Sequence, residues 1–412
     1  MSKILFLAGA YYPEPKANGI CCERVIHALQ QRGHQIDMVA FAPTWPGPKG
    51  AEIGGVEIRY VPGSMYYRTL RAEETGQLKG NRLRLKKFQL KLAHLLSAAA
   101  WPNYAPLANI QFYRQACQLQ EENCYDAVVA VNAPFSALYA AAKLKRKYPG
   151  IKYAAYFLDA LSGGAFPAYL TKKYALERGL AWENKLLHWA DLVLVMKAHV
   201  PHLEQHRDKI RYGSKITVLD IPLICPVPAL PSARDGKTHI IFVGSINTCL
   251  RNPMYVLKMV ERIPNCVVDF YGSVDKPELI KEFVTNGVAI VHGKVEHEEA
   301  LRAEQKADVL LNIGNKNASL VPSKIFEYMS TGKPIITTCP IENEPSLPYL
   351  KKYGLCFEVY EEPEKLQENA EKLSAFLHKV KGQFVSARFI EETFKDNTPG
   401  SFADAIEYMI KE

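Results

Sequence analysis

The sequence predicts an α/β protein of two successive domains, each built on a parallel sheet, and three observations carry that prediction. An amino-terminal run reads strand, loop, helix, glycine, strand, the signature of a β-α-β unit with a right-handed crossover. A second series of short apolar strands alternating with helices starts at residue 239. Between the two lies a stretch dense in proline. At 412 residues the chain also exceeds the size at which a single core keeps growing.

The elements follow in order. Residues 4–7 form a buried strand, a loop runs to Gly19, and a helix is expected over 20–32 with Val25, Ile26 and Leu29 on one face and Gly33 closing it. Strands are expected at 35–41, 56–61, 127–131, 153–158 and 192–196, completing a domain over 1–220. Residues 221–236 hold Pro222, Pro226, Pro228 and Pro231 before Arg234-Asp235-Gly236, and read as a linker. A domain over 237–390 follows, with strands at 239–243, 267–271, 289–292, 309–313, 334–338 and 355–359 and helices at 253–262, 277–286 and 298–307. The remaining 391–412 includes a helix at 401–411, expected to pack back onto the first domain.

Composition narrows the setting. With 48% apolar and 23% charged residues the chain is an ordinary globular protein. Nine cysteines are scattered without CxxC spacing, which fits reduced thiols and a cytoplasmic location. The adjacent Cys21 and Cys22 read as structural. The apolar start at 4–10 runs into Tyr11-Tyr12-Pro13 rather than a cleavage site, so neither a signal peptide nor a membrane span is expected.

The net charge of +8 is concentrated between Arg68 and Lys91. Here Leu85, Phe88, Leu92, Leu95 and Leu96 recur at helical spacing among Arg82, Arg84, Lys86, Lys87 and Lys91. Two readings stay open, the solvated face of a domain helix and a peripheral contact with an anionic membrane. Nucleic acid is not expected as a partner, because no aromatic ladder accompanies the basic run.

The most informative stretch is 321–336, directly after the apolar run 309–313. Pro322 starts a short helix, Gly332 ends it, and an apolar strand follows. Ser323, Lys324 and Glu327 thus open a helix at the carboxyl end of a strand, where open α/β sheets bind ligands and where a lysine favours phosphate. The alternative is an ordinary helix with Lys324 solvated and Glu327 paired to a neighbour.

Taken together, the motifs resemble the GT-B glycosyltransferases, in particular glycosyltransferase family 4. The resemblance spans most of the chain: Tyr12-Pro13, Asn18-Gly19, Arg24 and Arg32-Gly33-His34 in the first half, then Phe242-Val243-Gly244, Tyr271-Gly272-Ser273, His292-Gly293-Lys294-Val295, Ala307-Asp308-Val309-Leu310 and Pro322-Ser323-Lys324 through Glu327-Tyr328 to Gly332-Lys333-Pro334. It implies two Rossmann-like domains with parallel sheets facing across a cleft, and transfer of a sugar from a nucleotide-diphosphate sugar to a glycan or lipid-linked acceptor, as in bacterial surface polysaccharide assembly.

Carried onto this sequence, the resemblance makes Glu327 the ligand of the donor ribose. Ser323, Lys324 and Arg251 become ligands of the diphosphate, with Lys324 and Arg251 neutralising the leaving group during catalysis. Gly244 allows close approach to the phosphates, and Gly272, Gly293 and Val295 line the base pocket. On the acceptor side it points to Asn18, Gly19, Arg24, Asp159 and His199, the last two having a structural reading as well.

Two departures stand out. The family pairs Glu327 with a second glutamate eight positions upstream, where this chain has Ser319 on the sugar-reading side of the donor site. The run Asn132-Ala133-Pro134-Phe135-Ser136 follows a strand after which many relatives carry a cleft histidine. With no side-chain base, the resemblance implies a retaining reaction in which the departing phosphate takes the acceptor's proton. The absence of any Asp-x-Asp implies no metal cofactor, the nucleotide sugar being substrate. Two further readings are a nucleotide-sugar epimerase of the same fold and a catalytically weak nucleotide-sugar-binding subunit of an assembly complex.

Overall fold

Short apolar runs that are buried along their whole length suit the interior of a parallel sheet, which helices cover on both faces. Such runs build both halves of the protein. The computed structural model describes residues 1–9, 17–44, 47–96, 100–158, 160–164, 166–167, 170–231, 235–316 and 321–412. The chain divides into two compact units, Met1–Pro222 with Pro399–Glu412, and Leu223–Thr398.

The described strands of the first unit are β1 (Lys3–Leu7), β2 (Gln35–Phe41), β3 (Gly50–Ile53), β4 (Val56–Val61), β5 (Ala127–Asn132), β6 (Lys152–Phe157), β7 (Leu192–Met196) and β8 (Ile216–Leu219). They lie in the order β3-β4-β2-β1-β5-β6-β7-β8. Every pairing is parallel except the β3–β4 hairpin. Strand alternation sends Leu5 and Leu7 to a core on one face, with Phe112, Leu138 and Tyr153. Ile4 and Phe6 go to the other, with Val25, Ile26 and Leu29.

That second face also takes the last helix, Pro399–Lys411, through Phe402, Ile406 and Met409. Arg32 fastens it by an ion pair to Asp404 at 2.8 Å and a hydrogen bond to the Gly400 carbonyl, and His34 lies 2.9 Å from Glu407.

In the second unit the described strands are β9 (Thr238–Val243), β10 (Cys266–Tyr271), β11 (Ala289–Gly293), β12 (Val309–Ile313), β13 (Ile335–Cys339) and β14 (Cys356–Tyr360). All are parallel, in the order β11-β10-β9-β12-β13-β14. The strand order reverses between β9 and β12, and the carboxyl ends of those two strands therefore flank the crevice in which such sheets take ligands.

The boundaries differ from the sequence expectation. The stretch 221–236, expected as a linker, belongs from Leu223 onward to the second unit. Ile224 N–H donates to the Asn397 carbonyl, Cys225 N–H to Ser330 Oγ, Val227 N–H to the Ser330 carbonyl and Leu230 N–H to the Gln305 carbonyl, all at 2.9–3.0 Å. The prolines set an extended backbone, but the residues between them still have N–H groups to satisfy and find them partners. Residues 391–398 likewise stay with the second unit, and only the helix beyond them returns to the first.

Candidate functional site

The helix Lys324–Ser330 buries Ile325, Phe326 and Met329, and Tyr328 fixes its position. The buried Tyr328 hydroxyl accepts a hydrogen bond from Val243 N–H at 2.8 Å and lies 3.3 Å from the Val243 carbonyl that it can donate to. This ties the helix to the last residue of β9, on the switch-point side of the sheet. Ser323 stands at the helix start and makes no capping hydrogen bond with its side chain.

Lys324 and Glu327 occupy the remaining face, and the structure adds a third group that the sequence did not single out. Lys324 Nζ lies 2.7 Å from Glu327 Oε2 and 2.9 Å from Glu304 Oε1. Glu304 comes from the helix His297–Lys306 and is only 1% exposed. Lys324 is therefore ion-paired and only 23% exposed rather than free in solvent, and the neighbour that Glu327 pairs with is Lys324 itself.

Two carboxylates share one ammonium in a largely dry setting. Burial pushes the Glu304 carboxyl up to about 7; Lys324 pulls it back and Glu327 adds to the rise. Burial acts to lower Lys324, but the charges of Glu327 and Glu304 outweigh it and hold the ammonium above its ordinary value. The trio is net negative when fully ionised and neutral once Glu304 takes a proton.

The glycines lie along the same carboxyl edge. Gly244 follows β9 and Gly272 follows β10, with φ of 146° and 140°. Gly244 N–H donates to the Tyr271 carbonyl at 2.9 Å, and Gly272 N–H to the Gly293 carbonyl at 2.7 Å. A Cβ on Gly272 would stand 2.0 Å from the Gly244 oxygen, so the strand ends touch backbone to backbone at this residue. Val295 is half-buried in the turn after β11. Arg251 sits in the turn after β9, its backbone N–H bonded to the Asn247 carbonyl, and its charge reaches Tyr328. Ser319 lies outside the described residues.

In the first unit Asn18 and Gly19, expected in a loop, fall in the first turn of the helix Ala17–Gln31, which also carries Arg24. Asp159 lies outside the described residues. His199 closes a short turn after β7 and acts electrostatically on His202.

His202 belongs to a cluster that sequence reading missed, because its members are far apart in the chain. Ser162 donates to Glu183 through both its N–H and its hydroxyl, each at 2.8 Å, and Tyr212 donates to the same carboxylate at 3.0 Å. Burial raises the Glu183 carboxyl while these donors lower it. His202 Nε2 lies 2.8 Å from Ser162 Oγ. With the serine proton directed to Glu183, the imidazole is the donor to Ser162. This is the reverse of what activates a nucleophile, so the cluster positions the segment after β6.

No family model matches the chain, and no curated protein matches it in sequence. Solved structures match it along nearly its whole length. HepE of Anabaena, in complex with UDP, superimposes with a TM-score of 0.58 at 12% identity over 99% of both chains. The lipopolysaccharide outer core galactosyltransferase WaaB, in its apo form, gives 0.56 at 16% identity, again over 99% of both. Sucrose-phosphate synthase from Thermosynechococcus elongatus gives 0.53 at 13% identity, covering 100% of this chain and 97% of that one. At such identities the likeness is one of architecture: two parallel-sheet units in the order and connectivity described above make this the GT-B fold found in glycosyltransferases.

Proposed function

We propose that the chain is a glycosyltransferase of the family 4 type that moves a hexosyl unit from a nucleotide-diphosphate sugar to a glycan or lipid-linked acceptor, with retention at the anomeric carbon. The observation that carries the reading is the Lys324 ammonium, held beside Glu327 by a helix that Tyr328 ties to the switch-point strand. A diphosphate needs a cation and N–H groups at that edge. A carboxylate beside it suits the two ribose hydroxyls. That HepE holds UDP in its complex makes uridine nucleotides the first probes to try.

In this reading the bond between the anomeric carbon and the diphosphate breaks as the acceptor oxygen bonds to that carbon from the same side. The acceptor's proton passes to the departing diphosphate, whose charge Lys324 and Arg251 neutralise. Cations and backbone N–H groups hold the diphosphate, so no metal takes part. Transfer from a panel of nucleotide sugars, measured as released nucleotide in excess chelator, tests this. Turnover is expected without added metal, and Glu327→Ala is expected to weaken UDP-sugar affinity by about tenfold, the loss of one charge-assisted hydrogen-bond pair. Unchanged affinity in Glu327→Ala removes the assignment of the site; strict dependence on manganese or magnesium removes the metal-independent mechanism; binding without turnover on any acceptor favours the subunit reading, and product formed only by rearrangement of the donor favours the epimerase.

A lipid-linked acceptor suits the helix Gly80–Leu96. Its apolar stripe faces outward, with Leu85, Phe88 and Leu92 at 60%, 65% and 49% exposure. Arg82, Arg84, Lys86 and Lys87 flank it, Lys87 paired with Glu73 at 2.7 Å. No described helix is long and apolar enough to cross a membrane. An exposed stripe with a basic border is the pattern of a helix lying in an interface, each basic residue adding on the order of 1 kcal/mol at an anionic surface. Co-sedimentation with phosphatidylglycerol vesicles is expected for the native chain and lost when Arg82, Arg84, Lys86 and Lys87 are changed to Glu. Equal sedimentation of the two proteins would end this part of the proposal.

A further inference from the structure

Two carboxylates compete for the Lys324 ammonium, and they hold it unequally. Lys324 Nζ donates a hydrogen bond to Glu327 Oε2 at 2.7 Å. It approaches Glu304 Oε1 at 2.9 Å but outside hydrogen-bond geometry, and that buried oxygen has no hydrogen-bond donor among the described residues. Glu304 is also the drier of the two, its side chain 1% exposed against 13% for Glu327. A carboxylate so deeply buried stays ionised only through the cation beside it.

No other cation among the described residues serves Glu304. The helix Lys324–Ser330 brings Glu327 and the buried Tyr328 hydroxyl within its electrostatic reach, and Arg251 acts on that hydroxyl from the turn after β9. The helix that carries Glu304 packs on β9, whose titratable side chain, His239, is taken by Asp235 and Asp269. On its own helix, Arg302 pairs with Glu298, and Lys306 stands in the last turn. Glu304 thus depends on one ammonium that it already shares.

A nucleotide-diphosphate sugar brings two further negative charges to the open side of that ammonium. Lys324 cannot neutralise three anionic groups, and Glu304 is the one it holds least well and water reaches least. We infer that Glu304 is the proton-uptake group of the donor site: as the diphosphate draws on Lys324, the Glu304 carboxylate takes one proton from solvent. One O–H bond forms on Glu304, the proton comes from the buffer, and no bond in the ligand breaks. Burial already holds this carboxyl at about 7 in the free protein, so at pH 8 the empty site is mostly ionised and has room for the proton. Affinity is therefore highest below that value and falls as pH rises through it. The inference rests on the glycosyltransferase reading, in which Lys324 meets the diphosphate.

Isothermal titration calorimetry of the full chain tests it. UDP-glucose, dTDP-glucose, ADP-glucose and GDP-mannose are the probes, since a diphosphate esterified at both ends does not itself titrate near neutral pH. The tightest binder is then titrated in HEPES and in Tris, whose different ionisation enthalpies report the protons taken up. Uptake of roughly half a proton or more is expected at pH 8 and close to none at pH 5.5, with affinity about tenfold weaker at pH 8.5 than at pH 6, the size of a one-unit shift. Glu304→Gln keeps the shape of the side chain and is expected to bind without uptake, at an affinity that no longer changes with pH. Binding to the native chain with no uptake overturns the inference and leaves the donor reading standing, as does uptake that persists in a folded Glu304→Gln. If that variant does not fold, the native chain decides alone, and an affinity flat from pH 6 to pH 8.5 is the overturning result. If none of the four sugars binds, the donor reading itself falls and takes this inference with it.

Discussion

Replacing Lys324 by Met is expected to lower kcat/KM for transfer from a nucleotide sugar by on the order of 10²- to 10³-fold, the loss typical of one preorganised group that stabilises developing charge. The same change leaves Glu304 and Glu327 without their shared cation. Removing one member of a buried ion pair costs about 3–5 kcal/mol when the other stays charged, but Glu304 has an escape in protonation. Its folded-state pKa already stands near 7 against an ordinary 4.5, so the folded chain binds more protons than the unfolded one between those values. The stability linked to Glu304 is therefore fully present below about pH 4.5 and lost as pH rises through about 7.

Without the ammonium that lowers it, Glu304 titrates higher still. The melting deficit of Lys324→Met relative to the native chain is expected to be small at pH 5 and to grow through pH 8. The double variant Lys324→Met with Glu304→Gln separates folding from chemistry: it should recover stability at pH 8 and leave turnover low. A Lys324→Met protein that melts normally and keeps kcat/KM within about threefold of native would show that Lys324 is not the countercharge of the leaving group.

What the sequence could reveal followed from how local the cause was. The stretch 321–336 was readable because Pro322 and Gly332 punctuate a helix by their own backbone limits, and the central strands because burial on both faces writes unbroken apolar runs. The edge strands β3 and β8 were missed: both are four residues long, and β3 alternates exposed with half-buried positions. The outward direction of Leu85, Phe88 and Leu92 was also out of reach, since helical spacing defines a stripe without saying which way it faces.

Glu304 is the instructive omission. In the helix His297–Lys306 the buried positions are Ala300, Ala303 and Glu304, with the buried Ala307 just beyond, which is the i, i+3, i+4, i+7 pattern of a core-facing stripe. A carboxylate on such a stripe must find a cation, and that signal was present in the sequence. Its partner Lys324 sits beyond a whole strand and loop, so only the assembled unit names it.

The second large effect concerns the backbone alone. Gly272→Ala is expected to destabilise the protein by about 3 kcal/mol or more, combining a side chain at a positive φ with overpacking against a strand end. For a unit of this size that is about 10 °C in Tm. The added Cβ would lie 2.0 Å from the Gly244 oxygen, and neither strand end yields easily. Gly244 is bonded back to Tyr271 on one side, and Gly272 is bonded to Gly293 on the other. Gly213→Ala is the control, at a position with nothing within 4 Å and no positive φ, where a change within about 0.5 kcal/mol is expected. Because Gly244, Gly272 and Gly293 share one edge with Lys324, spreading the strand ends also displaces the backbone proposed to meet the phosphates and base. UDP affinity should therefore fall along with Tm in Gly272→Ala. Native melting with native UDP affinity would mean that the strand ends do not meet at this glycine and that the donor edge is built some other way.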